Sequence, residues 1–381
     1  MTPLIDIQAR VFGEDDSAYR VFPGGSYRHY EAMHEHGLVF LDFPAIPFPA
    51  TDGFKETDDI REAIVRAELY ASVVYRNSDN VPELMAEISS RDLTKTRWSK
   101  RRKLALSQLN GLYNEMKIGD LVVVPAPLNS FTKEEAPRTL VGEVVSDVER
   151  WTEPTEKYQK AALLVRRVKW LSEVDERDLD VRTLRALRTQ NALVRLPADS
   201  LRPVLGAAYQ NVIIDGEFLA RFTTAGEDFT ARESYHFQAF VLAIVEAFRA
   251  KGDAEAAELA ESIYAIAASV RRGEATVPEQ EFSIHSPGYT TLRGKSVVFV
   301  IASLFSLALS AHAEPFDETG AARVGLENSA SKRYDPCAPE GLADEVVKTL
   351  DALGMHRWKE ACSAATAASE DEGFAPKASV K

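Results

Sequence analysis

Seven consecutive residues hold the densest chemistry in the chain: Arg97, Trp98, Ser99, Lys100, Arg101, Arg102 and Lys103. Phosphate backbones need clustered Lys and Arg, and an interleaved indole can stack on an exposed base. Arg97, Trp98, Lys100, Arg101, Arg102 and Lys103 are therefore candidate phosphate-binding residues. The bland reading is a solvated helix start, where most charge runs belong. A second set is aromatic. Tyr27, Tyr30, Phe40, Phe43, Tyr113 and Trp170 all fall in the N-terminal half. Aromatic faces can hold an extruded base while a polar group such as Asp42 accepts a hydrogen bond from its edge. Taken singly, each such aromatic is more often core than cage.

Other motifs offer less. SPGYTTLRGKS at 286–296 resembles a phosphate-cradling Walker loop, but five residues rather than four separate Gly288 from Gly294. Arg293 and Lys295 are then expected to flank a helix start. His29, His34 and His36 crowd together with no Cys or carboxylate at metal spacing, so they read as a solvated polar face and no metal or cofactor is expected. There is no G-x-S-x-G elbow and no D…E-x-K nuclease signature, so no catalytic residue is assigned.

The elements that must position these groups are short and β-branched. Leu121–Val124, Leu140–Val145 and Leu163–Val168 read as strands of a small curved sheet, with Trp170 ending the third. Gly142 inside the second predicts a bulge or a close backbone approach. Upstream, the expected order is strand, Pro23-Gly24-Gly25 turn, short helix and the strand Leu38–Phe43. Helices follow at about Asp58–Tyr75, capped by Asp58 or Asp59, and at Val81–Ser90. Arg177–Arg188 reads as a helix, Ala192–Leu196 as a short apolar run, and Pro197–Pro203 as the seam between domains. Asp215-Gly216 between apolar runs is a hairpin signal. Beyond it, helices are expected at Tyr235–Arg249, Ala254–Val270, Val297–Ala311 and Leu342–Leu353. Residues 1–18 read as a polar lead-in and 363–381 as a disordered tail.

The segments YRVFPGGSYRHYEAMHEHGLVFLDFP, GDLVVVP, VGEVVSD and RRVKWL, in that order, resemble the EVE-like domain of the PUA superfamily found N-terminal in Mrr-type restriction proteins. The resemblance covers roughly residues 19–205. It implies a β-barrel with flanking helices that reads nucleic acid, often at a modified base. It also implies that Tyr27, Asp42, Phe43 and Trp170 line the base pocket. Family members of that kind carry a nuclease after this domain, and none is legible here.

Composition bounds the rest. The chain has 381 residues, 45% hydrophobic and 27% charged, which suits two or three ordinary globular domains. Two cysteines exclude a disulfide scaffold and fit a reducing cytosol, and no secretory signal is read at the start. The net charge of −13 is uneven: residues 1–210 hold 29 Lys and Arg against 32 Asp and Glu, and residues 211–381 hold 16 against 26. Phosphate affinity follows local clusters rather than the sum.

The expectation is thus an α+β protein. An EVE-like nucleic-acid-reading domain spans 1–205 and a mostly helical effector or oligomerisation domain spans 206–362. The partner is nucleic acid, DNA before RNA, in a prokaryotic restriction or anti-phage setting, with a homo-oligomer or a partner subunit of a defence complex expected. Two alternatives stay open: a membrane-acting effector that inserts 297–311, although fifteen residues fall short of the twenty a bilayer needs, and a divergent nuclease.

Overall fold

The computed structural model describes residues 2–75, 80–127, 138–151, 162–176, 179, 181–189, 191–224, 233–250, 262–265, 278–283, 288–310, 315–330, 342–375 and 379–380. The chain divides into two compact units, residues 14–208 and residues 1–13 together with 209–381. The first thirteen residues are no polar lead-in. They form β1 (Leu4–Asp6) and β2 (Arg10–Phe12), and Ile5, Ile7 and Ala9 are buried.

The 14–208 unit opens with β3 (Ala18–Val21), α1 (Tyr30–His36) and the two-residue β4 (Leu38–Val39). A helical excursion follows, α2 (Asp58–Tyr75), α3 (Val81–Ser90) and α4 (Lys100–Asn110), with α4 widening into a π turn at Gly111–Glu115. Then come β5 (Leu121–Val124), β6 (Thr139–Val144), β7 (Glu149–Trp151) and β8 (Leu163–Val174). The unit closes with α5 (Val181–Leu187), β9 (Leu193–Arg195) and α6 (Ala198–Ala208). The sheet runs β4-β8-β6-β5-β3-β9, with β7 pairing β8 off this path, and curls into a half-barrel. All pairs are antiparallel except β3 with β5.

Three local rules explain most of this. In α2 the Thr57 hydroxyl caps the Ile60 amide at 3.3 Å, so the cap precedes the expected Asp58, and Asp58 and Asp59 sit favourably in the first turn. From α4 through its π turn, Ala105, Leu109, Leu112 and Met116 recur on one face and join the core formed with Val122, Val124, Val144 and Val165. The expected bulge is real: pairing of β6 with β8 shifts register between Val141 and Gly142. A Cβ on Gly142 would lie 2.6 Å from Trp170 Cε3 and 2.9 Å from the Lys169 carbonyl oxygen, so only glycine lets the strands approach. The expected seam at Pro197–Pro203 instead falls inside α6, where burial of Val204 and Leu205 outweighs the one amide that Pro203 lacks.

After β1 and β2, the other unit continues with the expected hairpin, β10 (Asn211–Ile214) and β11 (Glu217–Thr224). Asp215 and Gly216 both take positive φ, 53° and 74°, as a tight two-residue turn requires. It continues with α7 (Glu233–Ala250), β12 (Glu279–Ser283), β13 (Gly288–Gly294), α8 (Ser296–Ala308), β14 (Gly325–Glu327), α9 (Leu342–Glu372) and β15 (Ser379–Val380). Most of the expected Ala254–Val270 helix lies outside the described residues. The helices are joined by two sheets, β12-β13-β11-β10-β2 and β14-β1-β15, so the unit is less purely helical than its composition suggests. The described part of the near-Walker stretch, residues 288–296, is strand β13 followed by the start of α8. Arg293 there pairs with Glu217 at 3.1 Å and Glu279 at 3.3 Å.

Every residue of α8 from Val297 to Ala308 is buried, on all faces, inside this unit's core. Among the described residues no helix is long and apolar enough to cross a membrane. The expected disordered tail is also corrected. The chain breaks its helical path at Gly354 (φ 76°) and resumes to Glu372, burying Ala361, Ala364, Ala365 and Ala368. Phe374 then stacks on Phe237 at 4.5 Å with parallel rings, and β15 pairs with β1. Phe374→Ala is therefore expected to cost about 3–5 kcal/mol, measured by chemical or thermal unfolding. A disordered tail would leave stability unchanged.

Candidate nucleic-acid interface

Helix α4 starts on a proper cap, since the Ser99 hydroxyl accepts from the Arg102 amide at 3.4 Å. The turn after that cap is electrostatically backward. A helix N-terminus carries partial positive charge and favours Asp or Glu. Here Lys100, Arg101, Arg102 and Lys103 fill the first turn, with no acidic residue among them. Arg102 is half-buried and held by Glu68 at 2.8 Å and by the Arg97 carbonyl at 2.5 Å. Trp98 is half-buried against the core, with the Arg61 guanidinium 5.5 Å from its ring centre. These two serve the scaffold. Arg97, Lys100, Arg101 and Lys103 remain exposed, and Arg101 is only loosely paired, 3.8 Å from Glu68 with 87% of its side chain in solvent. The result is a cationic helix end with backbone amides behind it, suited to polyanions.

A second cluster gathers at the Pro23-Gly24-Gly25 turn. Gly24 takes φ 77°, and a Cβ there would lie 2.7 Å from the His29 ring. His29 is buried, and its Nε2 lies 3.1 Å from both an Asp42 carboxylate oxygen and the Tyr75 hydroxyl. Phe40 packs edge-on to the same imidazole at 5.2 Å, and the Arg28 guanidinium lies 3.5 Å from the Tyr75 ring centre. Asp42 keeps 21% of its side chain exposed. Tyr27 is half-buried two residues before His29 and packs on Phe22 at 4.9 Å. Sequence reasoning selects Tyr27 and Asp42 but treats His29 as solvated and makes no use of Tyr75. Nothing local links positions 29, 42 and 75; only the fold does. His34 and His36 diverge, to Glu173 at 3.1 Å and to the Trp151 ring at 5.3 Å.

Phe43 and Trp170 do not meet there. Trp170 lies within β8 rather than at its end, because the strand continues to Val174 against β6. Its indole Nε1 donates to the Met33 and His34 carbonyls, 3.3 and 3.1 Å away, which are end groups of α1. Phe43 follows a tight turn onto the Leu41 carbonyl, and two residues later Ala45 donates to Ala162. Along the chain, that point lies eight residues before Trp170, an extended contour of roughly 26 Å. Trp170 thus staples a helix terminus and fills the space that Gly142 leaves open.

These features define a class: an α+β chain whose curled half-barrel carries a helical excursion with a cationic tip. A family model described as a domain of unknown function (DUF8426) matches residues 53–197, from the entry to α2 through the end of β9. That is under half of the chain, so it marks a similarity of this segment. No curated protein matches the chain.

The geometry makes Trp170 and Gly142 structural. Trp170→Ala should lower the unfolding free energy by about 2–4 kcal/mol, and Gly142→Ala should also destabilise, because backbone and indole must both move. Isothermal denaturation of each variant checks this. A Trp170→Ala protein with an unchanged unfolding midpoint would return the indole to a ligand role.

Proposed function

We propose that residues 14–208 form a PUA-type reader of nucleic acid, DNA before RNA, serving in a prokaryotic restriction or anti-phage defence system. The 209–381 unit then supplies assembly or effector coupling. The observation that supports this most directly is the first turn of α4. Three exposed cations, Lys100, Arg101 and Lys103, at the positive end of a helix work against folding, so their arrangement makes sense for binding phosphates. The His29–Asp42–Tyr75 cluster beside Tyr27 supports a base site, with Asp42 as acceptor for an exocyclic amino group and Tyr27 as a stacking face. Phe43 and Trp170 are left out of that site.

The test separates binding from stability. In the full chain, Lys100→Glu, Arg101→Glu and Lys103→Glu together should weaken duplex binding at least about tenfold. The log–log dependence of affinity on salt should fall in slope by roughly 2–3, near 0.9 per phosphate contact. The melting temperature should stay equal or rise, since the new carboxylates suit the helix end. Fluorescence anisotropy at several salt concentrations, paired with thermal melting, reads both. Undiminished binding with an unchanged salt slope would refute the reading.

A further inference from the structure

Arg20 is the group that neither site uses. It lies in β3 at 0% exposure, on the opposite side of that strand from the core residues Tyr19 and Val21. One terminal nitrogen, Nη2, donates to the Thr189 carbonyl at 2.9 Å and to the Thr189 hydroxyl. The Nε–H and the Nη1 amino group are buried and meet no acceptor among the described residues. No carboxylate among those residues acts on it. Burial pulls the guanidinium down to about 10, opposed only by Tyr27. A buried cation without a counter-charge is among the costliest groups a core can hold. Arg166 shows the ordinary solution in the same unit: nearly as buried, it reaches the Leu112, Tyr113 and Ser146 carbonyls.

Two aromatic rings near Arg20 sit on a strained turn. The Phe22 ring centre lies 5.6 Å from the guanidinium carbon, and Tyr27 packs on Phe22; both are half-exposed. Phe22 precedes and Tyr27 ends the turn in which Gly24, Ser26 and Tyr27 all take positive φ, at 77°, 57° and 57°. For Ser26 and Tyr27 that conformation is unfavourable, and such strain collects at ligand clamps and switching segments. Gly24 in that turn lies close against the ring of His29, in the candidate base site.

We propose that Arg20 is the receptor for the phosphate of a nucleotide, admitted when the Phe22–Tyr27 stack swings aside on its strained turn and closes over the base. The phosphate supplies the missing charge and takes the two idle donors. The aromatic pair supplies a stacking face for the base, which a bare carboxylate would not need. The identification of the ligand as a nucleotide rests on the nucleic-acid reading above. The same chemistry is offered by a free nucleoside monophosphate and by the 5′-phosphate of a strand.

Melting of the full chain tests this with adenosine, inorganic phosphate and AMP. AMP at ten times its dissociation constant should raise the melting temperature by about 3 °C, inorganic phosphate less, and adenosine not at all. Arg20→Met should remain folded, since it orphans no acidic partner, and should lose the AMP shift. Arg20→Lys, which keeps the charge but not the fork, should bind AMP at least about tenfold more weakly, and it serves if the methionine variant does not fold. Competition with 5′-phosphorylated and 5′-hydroxyl oligonucleotides then assigns the source. Displacement of AMP by the phosphorylated strand alone identifies a strand end, and displacement by neither identifies a free nucleotide. An AMP shift that survives in Arg20→Met, or no shift in the native chain, overturns the proposal. Loss of the shift in Arg20→Met in a protein that binds no oligonucleotide would keep the receptor and reject the strand-reading function.

Discussion

The hold of Arg166 on the end of α4 is the interaction that the 14–208 unit depends on. α4 and its π turn finish with carbonyl groups that have no partner within the helix. Arg166, projecting from β8, donates to the Leu112 and Tyr113 carbonyls at 2.8 and 3.5 Å. The Tyr113 hydroxyl then donates to the Leu164 carbonyl at 2.6 Å and accepts from the Leu41 amide at 3.1 Å. One cation and one phenol thus tie the helical excursion to β8 and to the segment after β4. Both are buried, so each bond lies in a medium that strengthens it.

That attachment makes α4 electrostatically asymmetric. Its C-terminal end receives a buried cation, as the helix dipole favours, while its N-terminal end presents cations that the dipole disfavours. The first arrangement stabilises the fold, and the second takes a few tenths of a kcal/mol per charge away from it. Because the helix is anchored at its far end, that loss is tolerated and the cationic tip is held in a fixed direction. A stable scaffold carrying a locally unfavourable feature is the usual signature of a site kept for binding rather than folding.

Much of the local structure was legible in the sequence. β5 and the bounds of α2 and α3 follow from apolar runs and punctuation, and Gly142 and Asp215-Gly216 from the φ or the space that only certain residues allow. The parts that were not legible depend on distant pairing. β2 is a three-residue strand because Arg10 to Phe12 lie parallel to Val212 to Ile214, about two hundred positions away. No local pattern encodes that register. Trp170 reads as a strand end because Lys169, Ser172 and Glu173 break the apolar run past Val168, and such polar residues look like a strand end when the neighbouring strand is unknown. In the site, Asp42 was legible by its chemistry, whereas its partner His29, and Tyr75 bonded in turn to His29, were joined only by folding.

The C-terminal segment shows why a composition rule can fail. Residues 363–381 read as low in complexity because they are rich in Ala and Ser, and such segments usually lack the apolar area to fold. Yet Ala361, Ala364, Ala365 and Ala368 fall at i, i+3, i+4 and i+7, one face of a helix, and all four are buried. Small side chains there let α9 lie close along α7, so that contact area comes from backbone proximity rather than side-chain bulk. Gly354 re-aims the helix before this face begins, and Phe374 closes its far end on Phe237. Among the described residues, the C-terminal acidic positions Asp344, Glu345, Asp351 and Glu360 are thereby carried on a packed helix and not on a loose tail. A region with excess negative charge repels a phosphate backbone, so the nucleic-acid reading proposed above falls on the near-neutral unit that holds α4.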